Sequence, residues 1–104
     1  MTKNVKQAMK ELFEKAHNAG MNAGNSSYDH GPCGFASINV RGNSRFGKYL
    51  LESKMGRKSP YRGGIDMFIH HFGQSGNKKI RYAYAFARIL EENGITCKIE
   101  ARDD

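Results

Sequence analysis

The sequence predicts a single α+β domain, a two-layer sandwich with a three-stranded sheet whose helices lie mainly on one face. Its 104 residues match the usual size of one domain, so residues 1–104 are treated as a unit. A hydrophobic content of 38% is sufficient for one packed core. Segments with helical apolar spacing also alternate with segments in which every second residue is apolar. The predicted element order is α-β-α-β-α-β.

The first predicted element is an amphipathic helix over Thr2–Asn18. Its apolar residues recur at helical spacing and define one face: Val5, Met9, Leu12, Phe13 and Ala16. Thr2 is suited to cap the start of this helix, and Gly20 is suited to the left-handed position after its end. The segment 20–34 is dense in Gly, Asn and Ser, which indicates a loop.

Three short strands are predicted, over Phe35–Val40, Ile65–His71 and Ile95–Ala101. The third strand shows the alternation most cleanly. The second strand has two sets on opposite faces: Ile65, Met67 and Ile69 on one, Asp66, Phe68 and His70 on the other. The third strand likewise sets Ile95, Cys97, Ile99 and Ala101 against Thr96, Lys98 and Glu100. Each connection between strands contains a helix, which permits parallel pairing. The sequence leaves strand order and direction open.

Two further helices lie between these strands. Ser44 is a candidate N-cap for a helix that carries Phe46, Tyr49 and Leu50 and that Gly56 ends. The last helix is predicted over Lys78–Asn93, with Ser75 or Asn77 as its N-cap and Gly94 just after its end. Its apolar stripe is broad enough to predict a central helix with its aromatic rings in the core: Ile80, Ala83, Tyr84, Ala87 and Leu90, widened by Tyr82, Phe86 and Ile89.

Positive charge is concentrated in two parts of the chain, whose net charge is +7. Residues 41–62 hold seven basic residues against Glu52 alone, and residues 78–88 hold four basic residues and no acid. The C-terminal residues 89–104 reverse the sign, with five acids against two bases. This dipolar distribution is typical of proteins that orient on a polyanion, although basic residues also serve solubility alone. The candidate nucleic-acid or anion contacts are Arg41, Arg45, Lys48, Arg57, Lys58, Tyr61, Arg62, Lys78 and Lys79.

The basic loop 54–64 interleaves cations with Tyr61 and flexible glycines. Its cations suit phosphate contacts, and Tyr61 could stack on a base. The alternative is a solvated connection in which Pro60 and the glycines shape the turn.

Two other segments, 41–45 and 73–79, lead from a strand into a helix N-terminus, where exposed amides favour anions. With parallel strands they would form one phosphate site, whereas ordinary capping explains them equally well. Neither has Walker spacing.

Candidate metal ligands and nucleophiles are few. His30 and Cys33 have a spacing that could supply two zinc ligands, with the others from His70 or His71 and Cys97. Only one of the two adjacent histidines could join, because neighbours on a strand point to opposite faces. No third residue is evident to orient a histidine-activated Cys33, and no carboxylate pair is suited to acid–base chemistry. The sequence therefore predicts no catalytic residue, no metal, no cofactor and two free thiols.

Several stretches of the sequence share a distinctive pattern. HGPCGFASINVRGNSRFGKYL is followed by GRKSPYRGGIDMFI, then by FGQS…KIRYAYAFARILEENGI and a final ARDD. Together with AGMNAG near the first predicted helix, these stretches resemble a family of small proteins from tailed bacteriophages and prophages. That family shows CGFA before an (I/V)-N-(I/V) strand, then S-(K/R)-F-(A/G)-(K/R)-(W/Y)-L, a YxGG turn and a last helix rich in tyrosine and alanine. This chain departs from it in a short loop before Cys33 and in the pair His70–His71, where an aliphatic or hydroxyl residue is expected.

The resemblance implies a phage or prophage origin and an accessory role, but it assigns no activity. The leading hypothesis is a non-enzymatic protein that binds nucleic acid through phosphates, largely independently of sequence. A second is a phage-encoded inhibitor that presents its basic surface to an acidic or nucleic-acid-binding groove of a bacterial enzyme or defence complex. A third is a binder of small phosphorylated ligands. No apolar run reaches the roughly 20 residues needed to cross a bilayer, and no signal peptide is evident, so a cytoplasmic location is expected.

Overall fold

The computed structural model describes residues 2–27, 34–60 and 62–103. Within them the chain forms three helices and four strands: α1 (Lys3–Asn25), β1 (Gly34–Val40), α2 (Arg45–Glu52), β2 (Arg57–Lys58), β3 (Ile65–Phe68), α3 (Gly76–Glu92) and β4 (Cys97–Asp103). The α+β class is confirmed. The strict α-β-α-β-α-β order is wrong, because β2 and β3 follow each other without a helix between them.

The described strands form one antiparallel sheet in the order β2-β3-β1-β4. The predicted three-stranded sheet is wrong, because the sheet has a fourth strand, β2. This strand is only two residues long, and both residues are exposed. Such a short strand gives no alternating pattern, and this is why the sequence shows three strands rather than four. The helical crossover α3 does connect two strands of equal direction, β3 and β4, but β1 lies between them and runs the other way.

The three helices form a layer on one face of the sheet, where the hydrophobic core lies. β1 directs Ala36, Ile38 and Val40 into this core, and β3 contributes Ile65 and Met67. The largest fully buried side chains include Phe46, Leu50, Tyr82, Phe86 and Leu90, which come from α2 and α3. The register places Ile65, Met67, Cys97 and Ile99 on this side, as predicted. The burial alternates only in part, because Asp66 on the other side is 4% exposed and Ala101 is exposed. The other side of the sheet carries the intervening residues of each strand.

α1 is longer than predicted because Gly20 does not end it. A Cβ at Gly20 would lie 2.7 Å from Cδ2 of Tyr82, and one at Gly24 would lie 2.2 Å from Cζ of Phe72. The helix continues to Asn25, so part of the predicted loop 20–34 is helical. These glycines provide the space that lets α1 approach the aromatic rings of α3 and the segment after β3.

The predicted N-caps are confirmed, and so is Gly94 at the end of α3, but α2 ends at Glu52 with Ser53 as its C-cap and not at Gly56. The Ser44 and Ser75 hydroxyls accept hydrogen bonds from the backbone N–H groups of Gly47 and Lys78, and Gly94 has a φ of +79°. One core assignment is wrong: Tyr84 is 61% exposed, because it lies on the outer side of α3 while Tyr82 and Phe86 face inward. Among the described residues, no helix combines the length and the hydropathy needed to cross a membrane.

Candidate nucleic-acid interface

Two of the predicted contact residues lie on β2, and a third lies in the loop that follows it. Arg57 and Lys58 form β2 at the edge of the sheet, and Arg62 precedes β3. All three side chains are exposed. Tyr61, the predicted stacking residue of this loop, lies outside the described residues. This part of the predicted site is therefore accessible to a ligand from the edge of the sheet.

The other predicted contacts are divided between the two ends of β1. Arg41 follows the last residue of β1, and Arg45 and Lys48 are exposed on α2 nearby. Lys78 and Lys79 are in the first turn of α3, close to the first residue of β1. A seven-residue strand is about 20 Å long, so the two groups do not meet. The phosphate site shared by segments 41–45 and 73–79 is excluded, because it required parallel strands and β1 and β3 are antiparallel.

Lys79 is a buried residue that stabilises the fold. Its side chain is only 9% exposed, and its Nζ donates a hydrogen bond to the backbone oxygen of Gly34 at 3.2 Å. The same Nζ lies 5.9 Å from the ring centroid of Phe35. The prediction that Lys79 contacts phosphate directly is therefore not supported by its geometry. Its positive charge remains beside Phe35.

The side of the sheet opposite the helices carries a set of residues that are defined here as the open face. The strand register places on it three residues of β1, two of β3, one of β2 and three of β4: Phe35, Ser37, Asn39, Asp66, Phe68, Arg57, Lys98, Glu100 and Arg102. Two open depressions of about 410 and 470 Å³ lie along it and have Phe35, Arg57 and Phe68 in common. Among the described residues that line them, Lys79 alone belongs to a helix.

Two phenylalanine rings on the open face are surrounded by cations. Phe35 is 52% exposed, which is unusual for an aromatic residue of a central strand, and it is paired in register with Arg102. Phe68 is half-buried, and the guanidinium carbon of Arg57 lies 4.9 Å from its ring centroid. This distance is within the range of a cation–π contact. The open face thus combines one exposed ring, Phe35, and one ring that Arg57 partly covers, Phe68, with positive charge.

Arg62 forms ion pairs with both acids of the open face, and its one positive charge balances one of the two carboxylates. It forms ion pairs with Asp66, at 3.1 Å, and with Glu100. Asp66 is 4% exposed and also accepts a hydrogen bond from Nδ2 of Asn39 at 2.8 Å. The same Nδ2 lies 3.1 Å from the backbone oxygen of Gly63, which ties the loop before β3 to the sheet. Arg62 therefore holds this loop to the sheet, and its charge is compensated by the two carboxylates; its role as a phosphate contact stays a prediction.

The ion pairs of the described residues do not include Arg57, Lys98 or Arg102. These three side chains are exposed on or beside the open face, and Lys58 and Arg41 extend the positive charge beyond it. Arg41 and Lys98 also line a depression of about 480 Å³ at the Val40 end of β1, together with Arg62. Within the part of the chain that the structure describes, the cations of this surface outnumber its two acids, and both acids are paired with Arg62.

Sequence reasoning missed Phe35, Lys98 and Arg102 as candidate contacts. A signal for Phe35 was present in the strand FASINV, where Phe35 alternates in phase with Ser37 and Asn39 and out of phase with the apolar Ala36, Ile38 and Val40. An aromatic residue in phase with polar ones is expected on the more exposed face. Lys98 and Arg102 lie in the acidic C-terminal part, so counting charge along the chain hid them.

A second cluster of polar rings lies between α1 and α3, on the helical side. Nδ1 of His17 is 2.6 Å from the hydroxyl oxygen of Tyr82, and the His17 and His71 ring centroids are 5.1 Å apart. Burial lowers the pKa of His17 below its ordinary 6.5, and the nearby His71 lowers it further. Burial also raises the pKa of Tyr82 well above its ordinary value, so the hydroxyl stays neutral. The lowered pKa of His17 and the raised pKa of Tyr82 both favour a hydrogen bond between two neutral side chains.

The His17 contact predicts a pH dependence of stability. A depressed folded-state pKa means that the unfolded chain binds this proton more readily, so stability should fall as the pH drops through 6.5 and level off below the folded pKa. Urea unfolding at roughly pH 7.5 and 5.5 would measure it. His17→Gln should lose less stability on acidification than the parent. His70→Gln, an exposed control outside the cluster, should behave as the parent. Equal losses in all three proteins would contradict the assignment.

The candidate zinc ligands do not assemble among the described residues. No group of three His, Cys, Asp or Glu side chains in 2–27, 34–60 and 62–103 is placed to hold a metal ion. His30 and Cys33 lie outside the described residues. Cys97 is a free thiol beside the backbone oxygen of Ala87, and burial, with a smaller contribution from Glu91, raises its pKa to about 11. A thiol with this pKa is a poor nucleophile at neutral pH.

In comparisons with known proteins, no family model, no curated protein and no solved structure matches this chain. The functional evidence for this chain therefore lies in the geometry of the open face and in the distribution of charge.

Proposed function

We propose that this protein is a non-enzymatic nucleic-acid-binding protein whose binding surface is the open face of the sheet. The observation that carries the proposal is the placement of Phe35 and Phe68 among Arg57, Lys98 and Arg102, with both acids of the face paired to Arg62. Cations contact phosphates without regard to sequence, and aromatic rings stack on bases of any identity. Binding is therefore expected to be sequence-tolerant.

The phage-type resemblance of the sequence gives this proposal a biological setting. With the origin that this resemblance implies, the protein would act in the cytoplasm of the host cell. The proposal assigns the basic residues of the open face to direct phosphate contact: Arg57, Lys98 and Arg102. Arg41, Arg45 and Lys48, at one end of the sheet, add long-range attraction that speeds association.

Salt dependence is the first expected property of this surface. Counterions released from phosphates make the affinity fall linearly with salt on logarithmic axes, with a slope of roughly 0.7–0.9 per phosphate contact. Fluorescence anisotropy with labelled single- and double-stranded DNA and RNA, at low and at near-physiological salt, would measure it. Three or four contacts predict a loss of roughly 10- to 100-fold between 50 and 200 mM salt. Failure to bind any of the four nucleic acids at low salt would contradict the proposed function.

A matched pair of charge variants tests whether nucleic acid binds to the open face. Arg102→Gln removes a cation of the open face, and Lys10→Gln removes an exposed cation of α1, on the helical side. Both variants lower the net charge by one. The first should weaken binding and reduce the salt slope by about one contact, whereas the second should change the affinity less than about twofold. Equal effects would indicate general attraction to the protein's net charge rather than an interface on the sheet.

A further inference from the structure

We infer that the open face selects single-stranded nucleic acid, DNA or RNA, by stacking unpaired bases on Phe35 and Phe68. This inference rests on the proposed function and names its ligand class. A basic surface alone binds duplexes and single strands alike, because both present phosphates. Exposed ring faces add a contact that only a single strand can use, since the bases of a duplex are stacked on each other and closed to the protein.

The two rings are arranged to serve neighbouring bases. Phe68 is paired in register with Ser37, so Phe35 lies two residues further along β1 on the same face. Diagonal positions of this kind on an antiparallel pair are roughly 7–8 Å apart. That separation lets two successive unstacked bases contact one ring each. Ser37, between the rings, has a small side chain that is covered by its neighbours, so it does not separate the two rings by a bulky group.

Cations accompany each ring, so base stacking and phosphate contact occur together. Arg57 lies over Phe68, where its planar guanidinium can itself stack on a base or turn to a phosphate. Arg102 is opposite Phe35 in the register, and the charge of Lys79 lies close to the same ring. At the Val40 end of the face, Arg41 and Lys98 line the depression that a continuing backbone would reach.

A protein partner is the main competing explanation for exposed aromatic rings. The charge of the face favours a polyanion, because Arg62 and the three further cations of the face outnumber its two acids: Arg57, Lys98 and Arg102 against Asp66 and Glu100. The chain also offers an internal comparison. Tyr84 is the other large exposed apolar residue of the described chain, at 61%, and it lies on α3, away from the sheet. A role in stacking is expected of Phe35 and not of Tyr84.

The test compares single-stranded and duplex oligonucleotides of one sequence, roughly a dozen nucleotides long, as DNA and as RNA, by anisotropy at low salt. Phe35→Ala should weaken single-strand binding by about 5- to 100-fold and leave duplex binding nearly unchanged. Phe68→Ala should act in the same direction, Phe35→Tyr should retain binding, and Tyr84→Ala should behave as the parent. Melting temperatures of all four variants would show that each is folded. The salt slope should be unaffected by Phe35→Ala, because no phosphate contact is lost.

A second measurement reports stacking directly. The chain contains no tryptophan, so Phe35→Trp introduces a unique indole at the proposed stacking position. Single-stranded oligonucleotides should quench its fluorescence, and the duplex should not. Equal affinity for single strand and duplex, with no loss in Phe35→Ala and no quenching, would overturn the inference while leaving nucleic-acid binding intact. Absence of binding to every nucleic acid would overturn the proposed function as well.

Discussion

Replacing Phe86 with alanine should lower the free energy of unfolding by about 3–5 kcal/mol, the usual cost of deleting a buried phenylalanine ring. Phe86 has no exposed surface and joins α3 to three other aromatic residues. Its ring centroid lies 5.5 Å from that of Phe13, 6.2 Å from that of Phe46 and 5.7 Å from that of Tyr82. The alanine variant would leave a cavity between all three helices, lined by rings that are too rigid to fill it.

Urea unfolding followed by circular dichroism would measure this loss. The midpoint should fall while the slope stays constant, because the variant changes stability and not the surface exposed on unfolding. Tyr84→Ala is the matched control, since it removes an aromatic ring from the same helix at an exposed position. Its effect should stay within about 0.5 kcal/mol. A similar loss in the two variants would contradict the placement of the core.

Replacing Gly64 with alanine should destabilise the protein by more than about 2 kcal/mol. Gly64 has a φ of +74°, which costs a residue with a side chain roughly 1–2 kcal/mol. The alanine Cβ would also lie 2.5 Å from the backbone oxygen of Val40 and 2.9 Å from Oδ1 of Asn39. Since the first of these atoms belongs to the central strand, the clash is relieved only by moving the loop away from β1.

Gly63 separates the two causes of this effect. Its φ is +72°, but a Cβ there would meet no atom within 4 Å. Gly63→Ala should therefore cost only the conformational part, roughly 1–2 kcal/mol. Chemical unfolding of both variants would give the difference, which measures the close approach of the loop to the sheet. A Gly64→Ala variant no less stable than Gly63→Ala would show that this approach is not required.

The helical layer was largely predictable because its signals are local. Ser44 and Ser75 cap their helices as predicted, since an N-cap depends on a few adjacent residues. The end of α1 was not predictable from Gly20, because a glycine can either end a helix or leave room inside a helix for a neighbouring aromatic ring to pack closely. Only the position of Tyr82 on α3 decides between the two.

The sheet and the candidate site depended on long-range pairing that the sequence does not encode locally. β1 lies between β3 and β4 and is antiparallel to both, and the periodicity of the individual strands does not reveal this arrangement. Residues distant in sequence, such as Arg62 and Glu100, neutralise each other across β1, so counting charge along residues 41–62 overstated the cations available to a ligand. The basic character of the loop was predicted, but the face it borders was not.

The most direct test of the central claim is a chemical-shift map of the labelled protein titrated with a single-stranded oligonucleotide. Binding on the open face predicts the largest shifts at Phe35, Phe68 and the segment 98–102, with aromatic side-chain signals of both phenylalanines moving strongly. The outer residues of α1 and α3, including Tyr84, should be nearly unaffected. Shifts concentrated on those helices, with Phe35 and Phe68 unchanged, would contradict the claim that this sheet face binds nucleic acid.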